Sequence, residues 1–117
     1  MVESVSAIGW WAQEGVGRVE MESLRISIGE GQISGSGIDE VGLFTFEGKI
    51  DEAMRIRMRK IYIGAHKVLY TGRYDTSAGR LWGIWHIPDD RGPWEIILKQ
   101  SLTEKLIRSK ENVARIG

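Results

Sequence analysis

Turn chemistry breaks this chain roughly every 8–12 residues, and between the breaks apolar and polar side chains alternate. The interruptions are Gly15–Gly17, Gly29-Glu30-Gly31, Asp39-Glu40, Asp51-Glu52, Gly64-Ala65, Asp75–Gly79 and Pro88–Pro93. Glycine there supplies positive φ, while aspartate and proline supply the local hydrogen bonds and fixed φ that tight reversals need. The pattern predicts eight strands, at about 6–13, 19–28, 31–38, 41–49, 53–63, 66–74, 79–87 and 93–100. Every connection is short, so consecutive strands pair as antiparallel hairpins. A meander of that many strands hides its edges most economically by closing. The expected fold is all-β, an eight-stranded antiparallel up-and-down barrel with a C-terminal α-helix.

The helix is read from a change of period. Leu102, Leu106, Ile107, Val113 and Ile116 share one helical face, Ser101 or Thr103 can cap its start, and Glu104 sits in the first turn. Lys105, Arg108, Lys110 and Arg115 make the other face basic. The expected division is a barrel over 1–100 and an amphipathic helix over 101–117, packed on the barrel or serving as a basic docking helix.

Composition narrows the function classes. A chain of 117 residues is one domain's worth and needs no disulfide or metal staple. Sixteen basic and sixteen acidic side chains cancel, which argues against a nucleic-acid binder built on bulk positive charge. The absence of cysteine excludes thiol catalysis, a disulfide framework and a cysteine-ligated metal. No stretch approaches the ~20 apolar residues of a spanning helix, and no basic-then-apolar leader opens the chain. The expectation is a cytoplasmic protein with no membrane or nucleic-acid partner.

Alternation also sorts side chains into faces. Along 53–62 one set carries Met54, Ile56, Met58, Lys60 and Tyr62, and the other carries Arg55, Arg57 and Arg59. Three arginines do not fit inside a small barrel, so Met54, Ile56 and Met58 are assigned inward. The same logic sends Phe44, Phe46, Val68, Tyr70, Leu81, Trp85, Trp94, Ile96 and Leu98 inward, with Gly42, Gly48, Gly72 and Gly83 among them. Inward glycines leave room for a ring across the strand pair. An eight-stranded barrel is just wide enough to be filled by side chains or to hold one small ligand, and this interior leaves both readings open. Trp10, Ile61, Ile63, Leu69, Trp82, Ile84 and Ile97 take outer parity, an apolar patch that the terminal helix or a second subunit would cover. A homo-oligomer through residues such as Leu69, Trp82 and Ile84 is therefore expected.

The ordering of these residues resembles the avidin/streptavidin group of calycin-like barrels. Gly9-x-Trp11-x-Gln13 is similar to that group's opening strand. Tyr70-x-Gly72-x-Tyr74 followed by Leu81-x-x-x-Trp85 is similar to its sixth and seventh strands, and Trp94 to the tryptophan after its final long hairpin. The resemblance spans about 9–98 and implies a barrel whose mouth is lined by Trp11, Gln13, Tyr70, Trp85 and Trp94. The group's biotin-binding set is not reproduced. Gly35-Ser36-Gly37-Ile38-Asp39 stands where its third strand carries a tyrosine, and Tyr70 replaces its sixth-strand tryptophan.

A polar set remains. Asp39 lies at the turn between strands three and four, while Lys60, Tyr62 and His66 flank the turn between five and six. Alternate connections of an up-and-down barrel share an end, so these residues and Tyr70 meet at one rim. They form either an Asp39–Lys60 ion pair closing the barrel or an acid–base set around His66. The two histidines stand alone, without metal-ligand spacing, and no cofactor or metal is expected. The leading expectation is a non-catalytic barrel binding a small apolar or aromatic ligand at its mouth. Trp11, Gln13, Asp39, Lys60, Tyr62, His66, Tyr70, Trp85 and Trp94 are its candidate site. The alternatives are an assembly module with a filled core and, behind it, an acid–base enzyme.

Overall fold

The computed structural model describes residues 3–99, so the helix expected over 101–117 lies outside the described residues. Eight strands follow one another: β1 (Val5–Gln13), β2 (Gly17–Gly29), β3 (Gln32–Ile38), β4 (Leu43–Ile50), β5 (Arg55–Tyr62), β6 (Lys67–Asp75), β7 (Arg80–Ile87) and β8 (Asp90–Leu98). Each pairs antiparallel with the next, and β8 returns to pair with β1, so the sheet closes as a barrel in sequence order. The architecture read from turn spacing is the one observed.

The turns explain the register. Between β2 and β3, Glu30 and Gly31 both have positive φ, 53° and 74°, the pairing that a tight two-residue hairpin requires. In β2, Val19 and Met21 point inward, and Leu24 and Ile26 do so after a register shift at Ser23, whose φ is 50°. One extra residue there resets the parity, which is what a β-bulge does. Without that bulge the second half of β2 would turn its apolar set to solvent.

Two face assignments need correction. Met54 does not point inward; it is 39% exposed, with φ at 62°. Its amide donates to the Asp51 carbonyl in the β4–β5 turn, and the strand begins only at Arg55, so strand alternation never reaches it. Gly42 likewise belongs to the β3–β4 turn, where its amide donates back to the Asp39 carbonyl. The last hairpin is also tighter than read, since β8 already starts at Asp90 and includes Pro93.

The remaining inward assignments stand. Phe44, Phe46, Ile56, Met58, Tyr70, Leu81, Trp85, Trp94 and Ile96 are all buried in one continuous core. The glycine pair Gly72–Gly83 lets β6 and β7 coil tightly under the Trp94 indole, which reaches across them to donate to the Thr71 carbonyl at 3.1 Å. A Cβ on Gly83 would collide with the backbone of Thr71 and Gly72, and one on Gly72 with that of Trp82. Gly83→Ala should therefore lower stability by about 1–3 kcal/mol, the usual range for overpacking a close-fitted core. Chemical denaturation of the variant beside wild type measures this; an unchanged midpoint would mean the two strands can move apart.

Candidate functional site

Four hairpin turns share one end of the barrel: β1–β2, β3–β4, β5–β6 and β7–β8. At that end the β3–β4 turn folds Asp39 back over the lumen. Its Oδ1 accepts from the Val41 amide at 2.9 Å, which fixes the turn and aims Oδ2 inward. Oδ2 accepts three hydrogen bonds: from Lys60 Nζ at 2.6 Å, from the Tyr62 hydroxyl at 2.8 Å and from Trp11 Nε1 at 3.1 Å. Trp11 comes from β1 and Lys60 from β5, opposite walls of the barrel, so the carboxylate ties the two sides together across the axis.

Lys60 is a buried cation inside a barrel core, with 1% of its side chain exposed. Its ammonium lies 4.2 Å from the Phe44 ring centroid, 4.8 Å from Tyr62, 5.5 Å from Trp11 and 5.7 Å from Tyr70. Ring faces and one carboxylate thus replace its hydration shell. Desolvation, opposed by the bond and charge of Asp39, brings its pKa from 10.5 down to about 8. Desolvation would raise the Asp39 pKa, but the Lys60 bond and charge, with Tyr62 and Trp11, outweigh it and hold the carboxyl below its ordinary 3.8. Burial foremost, then Asp39, pushes the Tyr62 phenol well up, so it stays a proton donor.

Beside this plug the lumen stays open. A cavity of about 270 Å³ is lined by Trp11, Gln13, Val41, Tyr62, His66, Val68, Tyr70, Trp85 and Ile87. Trp11 and Trp85 meet edge to face with centroids 6.1 Å apart. Most of the polar atoms on these walls are already engaged. Trp85 Nε1 donates to the Ala12 carbonyl at 2.9 Å, and Gln13 Nε2 donates to Asp90 at 2.8 Å. His66 is exposed at the rim with its ring 5.1 Å from that of Tyr62.

The structure therefore brings Trp11, Gln13, Tyr62, His66, Tyr70 and Trp85 together around one cavity. Asp39 and Lys60 lie behind the wall, as an ion pair closing the barrel on the β3–β5 side. Trp94 is elsewhere: fully buried and bonded to Thr71, it packs against Tyr70 at 5.1 Å and does not line the cavity. Val41, Val68 and Ile87 complete the walls and were not placed in the candidate site from sequence. Alternation makes Val41 the first residue of strand four, beside an inward Gly42 and so at outer parity, but it lies in the β3–β4 turn; Ile87 is the last residue of its strand. Among the described residues no cluster of His, Cys, Asp and Glu is placed to hold a metal ion.

Comparison with family models, with curated proteins and with solved structures returns no match. The fold alone sets the class: an eight-stranded antiparallel barrel consistent with the calycin-like group at large. Nothing in its walls singles out the avidin/streptavidin branch.

Two outcomes follow from the plug. Lys60→Met leaves a buried carboxylate unpaired and should cost about 3–5 kcal/mol in urea denaturation at neutral pH, whereas Lys60→Met with Asp39→Asn should recover most of that loss. Equal losses in the two proteins would mean that the pair is not coupled. The second concerns acid. A carboxyl with a depressed folded pKa contributes stability that is full above its unfolded value near 3.8 and is lost as pH falls through the folded value. Wild type should therefore lose thermal stability steeply below about pH 4, and Asp39→Asn less steeply over the same window. Parallel melting curves would contradict this.

Proposed function

We propose that this chain is a non-catalytic, calycin-like binding barrel that takes one small apolar or aromatic molecule into the cavity at its Trp11–Trp85 end. The observation that carries the reading is the cavity itself. It holds about 270 Å³ beneath an open rim, and its walls are aromatic and aliphatic. A core free to pack at ordinary protein density would have filled that space. An engineered apolar cavity of about 150 Å³ already admits benzene, so this one suits a molecule of one or two rings. The calycin-like resemblance supports the same use of a barrel mouth.

Acid–base catalysis is the weaker reading of the same residues. Asp39 Oδ2 is saturated by three donors, and Lys60 is held against it. Neither is presented to a substrate as a free base, and His66 stands at the rim away from any carboxylate bond among the described residues.

Native mass spectrometry of protein taken directly from its expression host is the test. The expected spectrum shows mass in excess of 13.2 kDa per subunit, lost on collisional activation. Val41→Trp, which crowds the cavity from a half-exposed turn position, should reduce that excess. A clean subunit mass, together with no quenching of tryptophan fluorescence by a small aromatic probe, would overturn the binding reading.

A second reading, assembly of identical subunits, draws on exposed apolar side chains: Ile84 at 40%, Ile8 at 46% and Ile63 at 67%. Leu69 and Trp82 are only half-exposed, and Arg80 lies over the Trp82 ring at 4.4 Å, so Ile84 is the prominent member of that face. The same spectrum reads subunit number; if assembly runs through this face, Ile84→Glu should return the chain to a monomer with any ligand retained.

A further inference from the structure

Among the described residues of the cavity wall, Tyr70 is the one deeply buried side chain whose hydrogen-bond donor has no acceptor. The other buried polar groups of the wall are spent on the protein: Trp11 Nε1 and the Tyr62 hydroxyl on Asp39, and Trp85 Nε1 on the Ala12 carbonyl. The Tyr70 hydroxyl receives a hydrogen bond from Lys60 Nζ at 3.5 Å, which uses its oxygen as acceptor. No described residue accepts the Tyr70 proton. The side chain is 1% exposed, with its ring packed on Phe46 at 5.2 Å and on Trp94 at 5.1 Å. Tyr70 lines the cavity, and with its ring covered by Phe46 and Trp94 its hydroxyl lies toward Lys60 beside the plug. A buried O–H without an acceptor is costly, and an apolar ligand would leave it so.

We infer that the ligand of this cavity is a one- or two-ring conjugated molecule bearing a single neutral carbonyl-type acceptor at its inner end, which takes the Tyr70 proton. This rests on the proposed binding function and adds the chemistry of recognition to it. Neutrality follows from the plug: Asp39 and Lys60 cancel, so the floor offers no net charge to hold an anion or cation. Donation from Lys60 into the hydroxyl oxygen polarises the O–H and strengthens it as a donor. Burial raises the Tyr70 phenol well above its ordinary value, so the proton is present at any physiological pH. A carbonyl meets the open donor without bringing a hydrogen of its own that needs a further partner.

The test uses a matched pair of probes, 2-acetylnaphthalene and 2-ethylnaphthalene, titrated into the full chain by tryptophan quenching. The ketone should bind about tenfold tighter than the hydrocarbon, the usual worth of one neutral hydrogen bond. In Tyr70→Phe the ratio of the two affinities should collapse to near one. Each protein is its own reference, so a general loss of affinity does not imitate the effect. A measurement on wild type alone guards against a variant that folds poorly: the infrared carbonyl band of bound, carbonyl-¹³C-labelled ketone should lie below its position in hexane. Equal binding of the two probes, or an unshifted band, overturns the inference and leaves the cavity reading standing. Failure of both probes to bind overturns the binding function with it.

Discussion

One oxygen atom, Asp39 Oδ2, organises the mouth of this barrel. It receives donors from β1 and β5 on opposite walls, while its twin oxygen fixes the turn that delivers it. Burying an ion pair rarely adds stability over a well-packed apolar alternative, because the desolvation of both ions offsets their attraction. What it does here is positional. Leucine or methionine at 60 would pack wherever the lumen had room, whereas Lys60 must reach one carboxylate. Trp11 and Tyr62 are drawn to the same point, so three aromatic or cationic side chains are placed by a single acceptor.

That placement divides the lumen. Phe44 packs on the Lys60 ammonium at the plug's own level, and beyond it Phe46, Met58, Leu81 and Trp94 fill the interior as a conventional core. At the plug's level the β3–β5 sector is occupied by the ion pair, and the remaining sector is left as a cavity between Trp11, Val68 and Trp85. An eight-stranded barrel lies at the size where a filled interior and an open one are both feasible, and this one is filled at one depth and open at another. The cavity persists because the groups that would otherwise collapse into it are held elsewhere. Trp85 is anchored to the Ala12 carbonyl, Gln13 to Asp90, and Trp11 to Asp39.

The sequence carried the barrel because turn residues and period-2 alternation recur along the described chain and reinforce one another. Much of the cavity wall was legible for the same reason: Trp11, Gln13, Tyr62, His66, Tyr70 and Trp85 lie at inner parity or at turns of one end. Three things were not legible. Met54 sits after Glu52-Ala53, with no glycine to announce its positive φ, so alternation was extended two residues too far, from Arg55 back to Ala53. Trp94 was placed by its position near the start of a strand, but the tight Pro88-Asp89 hairpin puts it four residues inside β8, level with the Gly72–Gly83 pair. The depth of Lys60 was also invisible. Parity gives a direction, and only the packed aromatic rings around the ammonium show that it ends in the core.

On the outer face, two of the apolar residues assigned there are covered by charged neighbours. Trp10 on β1 and Trp82 on β7 both pair with Glu95 on β8, so the three stand in one row across the sheet. Arg18 stacks on Trp10 at 4.7 Å and Arg80 on Trp82 at 4.4 Å, while Glu95 accepts from both Trp10 and Arg80. Each indole is thereby covered by a guanidinium whose charge remains at the surface, an arrangement that shields apolar area without a second subunit. Exposed apolar side chains concentrate instead around the mouth-end turns, at Val16, Ile38, Val41, Leu43 and Ile63. Of these, Val41 reaches from the rim into the cavity wall. Among the described residues, charged side chains thus lie over the β7–β1 belt, while the hydrophobic collar stands at the end where the cavity lies, so the apolar surface and the unfilled part of the lumen coincide.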